Sequence, residues 1–439
     1  MGNKEIFKNL QTDLSTYLNR VKKKSEVNLD FAYSKLELEY QKCSAIYQAC
    51  LSGLFEQLTL ALSASNNDNW DYVAVFRQYI ALPLFKESEE YRLGCINFIE
   101  RWKDFTNCFE IKARSLINGI VERVKDLSDF IERIETEKIP FGVTSLLTLA
   151  NIVEQLMQLV NHWYRIATRS NKVDLFAYGL NVLGVNKHTY LKQISKLVKD
   201  LIGGCGVINE LKTIFDLIPK DVNQEKGEIR INVICKFCPG DLYVNIARYA
   251  YNKGKMSLGT TCSPYVDSNL GLDANGHFSD MGLEGCVINN SCNNEILVGF
   301  SGTKGLFSNT FIVDLSQIIG LSPTYIKAAG LVKYLKDKHK NVIVCGHSLG
   351  GGLSQFSAAP HNGKVMAVCY NAAGLFKESL SLIKNNKIRN IIHIRMKNDV
   401  VSQIGCLVGY VMTINSPLGC IDSHSKEKLA EGLKKCGFV

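Results

Sequence analysis

The 439-residue sequence predicts a mostly parallel α/β domain in its second half, preceded by an all-helical first half. Three observations carry this. Residues up to about 218 keep a 3.6-residue apolar period almost throughout. Residues beyond about 226 alternate short Val/Ile-rich runs with helical stretches. One of those runs ends in Gly346-His347-Ser348-Leu349-Gly350 and leads straight into a helical pattern. The polar stretch Pro219 to Gly227 reads as the linker, which gives units 1–220 and 221–439.

In the first unit, Ile6 to Leu51 carries a helical stripe. The clearest helix runs from Tyr91 to Ile134, with apolar positions at Leu116, Ile120, Val124, Leu127 and Ile131 and charges between them. Pro140 ends it, and Val143 to about Ile166 forms the next. Leu191 to Ile202 and Val207 to Leu217 follow, separated by Gly203, Gly204 and Gly206. No phosphate loop, metal-ligand spacing or carboxylate pair occurs here, and the isolated His162 and His188 read as structural. This unit is expected to be a scaffold, targeting or regulatory module.

In the second unit, Ile229 to Phe237 reads as a strand and Leu242 to Tyr251 as a helix. Cys286 to Ile288 and Glu295 to Phe300 flank the Asn-rich segment 289–294 as a hairpin. Ser322-Pro323 opens a helix to about Lys340, with proline in its first turn. Strands at Asn341 to Cys345, Lys364 to Tyr370 and Ile388 to Met396 alternate with helices at Leu349 to Ala359 and Phe376 to Ile383. Strands apolar on both faces imply a parallel sheet covered by helices on both sides.

Composition narrows the function classes. A hydrophobic content of 46% with 21% charged residues excludes a disordered chain. No run of 20 apolar residues occurs; the nearest, Phe141 to Val160, is interrupted by Asn151, Glu154, Gln155 and Gln158. Residues 1–225 hold 28 basic and 28 acidic residues, so the net +9 belongs entirely to the second half. A basic half suits an anionic membrane surface. Nucleic acid is not expected, because no basic–aromatic surface motif accompanies the charge. Fifteen cysteines, several inside apolar runs, and no apolar segment after Met1 fit synthesis in a reducing cytoplasm, with export lacking a cleaved signal left open. Cys235-Lys-Phe-Cys238 lacks the second pair that a zinc site needs, and Asp273-Ala-Asn275-Gly276 lacks the later ligands of a calcium loop. No metal or organic cofactor is expected.

The G-x-S-x-G pentapeptide gains meaning from its setting. A buried strand followed at once by a helix is what a sharp nucleophile turn requires, and Gly346 and Gly350 keep its flanks free of side chains. Such a turn lifts the Ser348 hydroxyl off the sheet edge and points the Leu349 N–H at a developing oxyanion. A serine needs a base, and in this kind of site the acid and then the histidine follow the serine in the chain. Asp399, just past the strand Ile388 to Met396, is the expected acid, with Asp422 as the alternative. His424 is the only histidine beyond Asp399. His347, His361 and His393 break the order and read as structural or incidental. Thr303, after the strand Glu295 to Phe300, is the expected second oxyanion donor. Phe307, Phe311 and Ile312 read either as a lid edge or as core. Ile404 to Gly419 reads as buried beneath the site or lining an acyl groove.

These motifs, taken in order, resemble a class-3 (fungal-type) lipase domain, an α/β-hydrolase, and in particular its divergent bacterial lipase-like branch. The motifs lie within about 284 to 427, and the likeness extends over roughly 230–430. They are Val298-Gly-Phe-Ser-Gly-Thr303, Phe311-Ile-Val-Asp314, Gly346 to Gly351, Tyr370-Asn-Ala-Ala-Gly374 and Asn398-Asp-Val-Val401. The chain departs from the pattern at Ser301, where such lipases usually carry Arg. The resemblance implies a serine ester hydrolase acting on lipid esters, most readily a phospholipase, through a Ser348–His424–Asp399 triad and an acyl-enzyme. Alternatives are a neutral-lipid or small-ester esterase, or an inactive lipase-fold interaction protein. A helical module joined to such a domain suggests an effector or toxin peripheral at membranes. A regulatory, chaperone or immunity protein would then bind the helices.

Overall fold

The computed structural model describes residues 28–47, 49–50, 83–137, 143–202, 242–252, 258–302, 322–383, 390–397, 399, 401–403, 405–415 and 423–435, with 5, 9, 12–14 and 16 besides. The expected strand 229–237, the linker 219–227 and the helix 207–217 lie outside these residues.

In the helical half, α1 (28–47) packs with α2 (Pro83–Glu137) and α3 (Val143–Thr168), followed by α4 (Leu175–Val182) and α5 (Lys187–Ile202). Tyr91, Phe98, Trp102 and Leu127 of α2 meet Leu149, Leu156, Met157 and Val160 of α3 in a common core. Several polar residues of α3 have specific partners. Gln155 donates to Asn151 Oδ1 at 2.8 Å, Asn161 accepts from the Tyr33 hydroxyl at 2.9 Å, and Glu154 accepts from Thr324 Oγ1 at 2.9 Å. Among the described residues no helix is long and apolar enough to cross a membrane. His162 pairs with Asp174, which also caps α4 by accepting the Ala177 N–H; it is a structural histidine, while His188 is exposed.

The second half contains α6 (Leu242–Asn252), β1 (Cys262–Pro264), β2 (His277–Asp280), β3 (Leu283–Asn290), β4 (Glu295–Phe300), α7 (Pro323–Lys338), β5 (Val342–His347), α8 (Leu349–Ala358), β6 (Met366–Tyr370), α9 (Lys377–Ser381), β7 (Ile391–Met396), β8 (Tyr410–Ile414) and α10 (Lys426–Lys435). One eight-stranded sheet runs β1-β3-β4-β5-β6-β7-β8, and β2 also pairs with β3. The β1, β2, β3 and β4 pairings are antiparallel, and those from β4 to β8 are parallel. The described residues therefore form an α/β unit preceded by helices, as the sequence predicts.

Alternation along the strands fills two faces. Leu297, Ile343, Cys345 and Val368 pack with Ile246 and Ala250 of α6. Val298, Val344, Ala367 and Cys369 pack with α7 and α8 in the core that continues into the helical half. Helix α7 is buried from Pro323 to Val332, because the sheet lies on one side and α4 on the other. That crossing depends on glycine: a Cβ on Gly330 would lie 1.8 Å from the Leu175 carbonyl oxygen, and one on Gly179 would lie 1.8 Å from that of Ile326.

The structure adds elements that the sequence pattern hides. Helix α4 spans only eight residues. Strand β1 is largely exposed, and β8 is an edge strand without clean alternation, so neither shows a period of two. Helix α10 is dominated by charge and buries only Leu429 and Leu433. The Asp273–Gly276 segment is a turn: Asp273 Oδ1 accepts the N–H groups of Asn275 and His277, and Gly276 has φ +77°.

A buried ion pair in the second half is met by an arginine from the helical half. Lys327 of α7, 1% exposed, donates to Asp280 Oδ1 and to the Asp280 carbonyl, each at 3.0 Å, and Arg165 of α3 approaches Asp280 at 3.6 Å. Burial raises the Asp280 pKa, but Lys327 and Arg165 outweigh it and hold the carboxyl below its usual range. Asp280→Asn leaves the Lys327 charge buried and unpaired, and is expected to cost about 3–5 kcal/mol in urea unfolding. The contribution of the native carboxylate is present above about pH 3.9 and fades as the pH falls through its lowered folded value. An unchanged unfolding midpoint would show that Lys327 finds another partner.

Candidate active site

Strand β5 delivers its last residue, His347, directly into Ser348 and helix α8. Ser348 has φ +61° and ψ −128°, a conformation L-residues adopt only under constraint. Its amide donates to the Tyr370 carbonyl at 3.0 Å. Its carbonyl accepts the N–H groups of Gly351, Gly352 and Ala373 at 2.9, 3.1 and 3.0 Å. Glycine is obligatory on both flanks: a Cβ on Gly346 would lie 2.1 Å from the Gly350 oxygen, and one on Gly350 would lie 2.1 Å from the Phe300 oxygen. The Leu349 N–H stands at the first position of α8, where helical geometry supplies no intrahelical acceptor.

Asp399 follows β7 by three residues and its side chain is fully buried. Its Oδ1 accepts the Val401 N–H at 3.1 Å, and its Oδ2 accepts the Ser402 N–H at 3.2 Å. These donors open the short 3₁₀ turn Val401–Gln403 and suit a carboxylate anion. His424 precedes α10. Its Nδ1 lies 2.8 Å from Asp399 Oδ1, and its Nε2 lies 2.8 Å from Ser348 Oγ. A carboxylate only accepts, so Nδ1 carries the proton and Nε2 receives the serine O–H. The structure thus brings Ser348, His424 and Asp399 into one hydrogen-bonded line from three separate loops.

Thr303 lies outside the described residues, as do Asp314, Phe307, Phe311, Ile312, the alternative acid Asp422, Cys235 and Cys238. Among the described residues no group of three or more His, Cys, Asp or Glu side chains is arranged to hold a metal ion. The stretch Ile404 to Gly419 is described from Gly405 to Asn415. Leu407 and Val408 are buried, Cys406 exchanges backbone bonds with Leu375, and β8 joins the sheet edge.

Sequence reasoning missed Asn371 and Tyr251; His347 and His393, read as structural, are buried and bonded to backbone carbonyls. Asn371, at φ +43°, is buried; its Nδ2 donates to the Ser423 carbonyl at 2.8 Å and its Oδ1 accepts the Met396 N–H at 2.9 Å. One amide thereby fastens the loop of His424 to the strand end that carries Asp399. His347 Nε2 donates to the His424 carbonyl at 2.8 Å. Burial, reinforced by the neighbouring His424, holds the His347 pKa well below the usual range, so a neutral ring makes that bond. The Tyr251 hydroxyl donates to the His347 carbonyl at 3.0 Å. His393 donates to the Val408 carbonyl and is held down to about 4 by burial. An Asn in the turn closing an apolar strand was the available signal for Asn371, but its partners are distant in sequence.

Residues 280–404 match the family model of the Tle-like phospholipase domain. Among solved structures, the chain is similar to a triacylglycerol lipase from Penicillium expansum, at 14% identity and a TM-score of 0.32 over 43% of this chain and 82% of that one. No curated protein matches the sequence.

Asn371→Ala removes both fastenings. Each buried bond of this kind is worth about 1–3 kcal/mol, so kcat on a soluble ester is expected to fall roughly ten- to a hundred-fold with KM little changed. Labelling of Ser348 by a fluorophosphonate should slow in parallel. An unaltered kcat would mean that the His424 loop keeps its place without Asn371.

Proposed function

We propose that the protein is a serine phospholipase that cleaves a carboxylic ester of a membrane lipid. The observation that carries this reading is the Ser348–His424–Asp399 hydrogen-bonded line at the strained elbow. The likeness of residues 280–404 to a phospholipase-like domain supports a lipid as the substrate class.

The chemistry follows from the geometry. Ser348 Oγ attacks the ester carbonyl while His424 Nε2 takes its proton. Asp399 holds the imidazole by Nδ1–H and stabilises the cation that forms. The negative charge developing on the carbonyl oxygen is met by the Leu349 N–H at the helix start, with Thr303 proposed as the second donor. Collapse expels the alcohol, which leaves with the proton from His424. Water then enters, gives a proton to His424 and releases the fatty acid from Ser348. These steps require no metal or organic cofactor.

The +9 charge carried by residues 226–439 supports action at an anionic membrane surface, each nearby Lys or Arg contributing about 1 kcal/mol to adsorption. Ser348→Ala is expected to lower hydrolysis of labelled phospholipid vesicles by roughly 10⁴-fold or more, with adsorption to the same vesicles retained. Equal hydrolysis by the variant would overturn the assignment of Ser348.

A lipase-like unit joined to a helical half also supports a role as an effector acting peripherally on another cell's membrane. A chaperone, regulatory or immunity protein on the helical half belongs to the same reading. Expression in a bacterial host should arrest growth for the wild type and not for Ser348→Ala; identical growth curves would sink the effector role.

A further inference from the structure

A cavity of about 350 Å³ lies between the elbow and the helical half. Gly302 and Leu349 line it from the α/β unit, while Tyr40, Tyr47 and Tyr91 and the carboxylate residue Glu154 line it from α1, α2 and α3. We propose that this cavity binds the ammonium group of a phospholipid headgroup, so that the helical half sets substrate choice. This deepens the phospholipase reading and rests on it for the identity of the lipid.

Charge is the first argument. Glu154 and Glu284 line the cavity, and no Lys, Arg or His side chain does so among the described residues. Yet residues 226–439 carry the whole net +9. A phosphate in this space would face two acidic residues, and an acyl chain would leave the buried Tyr47 hydroxyl without a polar partner. A cation meets neither penalty.

The aromatic residues give the second argument. The Tyr47 and Tyr91 rings pack against each other, with centroids 5.5 Å apart at 46°, and Tyr40 adds a third ring to the lining. Ring faces attract ammonium groups, most strongly where water is excluded. Burial first, and then the nearby Glu154, raise the pKa of the Tyr40 and Tyr47 hydroxyls well above the usual range, so both stay neutral. The buried Tyr47 hydroxyl has no hydrogen-bond partner among the described residues. Burial raises the Glu154 pKa and outweighs the lowering by the Thr324 hydroxyl and the nearby Lys327, so a cation seated beside Glu154 would favour its charged form.

Position is the third argument. Leu349 offers its N–H to the reacting carbonyl, so a headgroup in the adjoining cavity and an ester at Ser348 can belong to one lipid. A volume of about 350 Å³ is at the small end of ligand sites, suited to a headgroup.

The test separates binding from hydrolysis. Calorimetric titration of the full-length Ser348→Ala protein uses glycerophosphocholine, glycerophosphoethanolamine and glycerophosphoglycerol. The first two should bind and the third should not; the stronger of the first two identifies a quaternary or a primary ammonium. Adding Glu154→Gln should weaken binding roughly ten-fold or more, and Tyr47→Leu should weaken it where Tyr47→Phe, which keeps the ring, does not. Thermal midpoints check that each variant folds. Equal binding of all three compounds, or of none, overturns the proposal. Hydrolysis is then read as a ratio of rates on phosphatidylcholine, phosphatidylethanolamine and phosphatidylglycerol vesicles. A fixed fraction of anionic ether lipid holds adsorption constant. An active enzyme whose rates ignore the headgroup overturns the pocket and leaves the phospholipase reading. Ammonium-selective binding without any Ser348-dependent hydrolysis overturns that reading and leaves the pocket.

Discussion

The left-handed turn at Ser348 is the constraint on which the site depends. A serine at φ +61° is held only because everything around it is already fixed. Its amide is bonded to the end of β6, its carbonyl is shared by three N–H groups, and the chain on either side passes so close to backbone that only glycine fits. The strain has a direction. It turns the hydroxyl away from the strand line and towards the loops beyond β7 and β8, where Asp399 and His424 stand. A relaxed turn would keep the same residues in the same order and lose their alignment.

The second constraint is the join between the two halves. Helix α7 is covered by the sheet on one side and α4 on the other, with Gly330 and Gly179 permitting backbone contact. Around that crossing, polar residues of α3 reach the α/β unit: Arg165 towards Asp280 and Lys327, and Glu154 to Thr324. These groups interrupt what would otherwise be a long apolar run in α3. Their burial is offset by partners in the other half, so the helical region and the lipase-like unit share one core. The same arrangement places tyrosines and a carboxylate of the helical region beside the elbow.

Much of this was legible in the sequence because the signals are local. The 3.6-residue period of Tyr91 to Ile134 and the apolar runs ending at Cys345, Tyr370 and Met396 are properties of neighbouring residues. The elbow is too, since a strand, a glycine-flanked serine and a glycine-rich helix start lie within a dozen positions. Where local signal was weak, elements escaped notice: α4 is short, β8 lies at an edge, and α10 presents charge on most of its surface. Asn371, and the partner of the structural His347, escaped for another reason. Their importance lies in what they touch, Ser423, Met396 and His424, and none of those is a sequence neighbour.

The sequence by itself determined the helical first half, the alternation of strand and helix in the second and the order Ser348, Asp399, His424, because periodicity, apolar runs and chain order are one-dimensional quantities. Only the tertiary structure decided that His424 lies 2.8 Å from both Ser348 Oγ and Asp399 Oδ1, that Asn371 fastens their loops together, and that the helical half walls a cavity at the elbow. Hydrogen bonds and cavities depend on distances of a few ångströms between segments tens to hundreds of residues apart. Those distances are set by how the sheet, α7 and α3 pack, and packing is a property of the assembled core rather than of any stretch of chain.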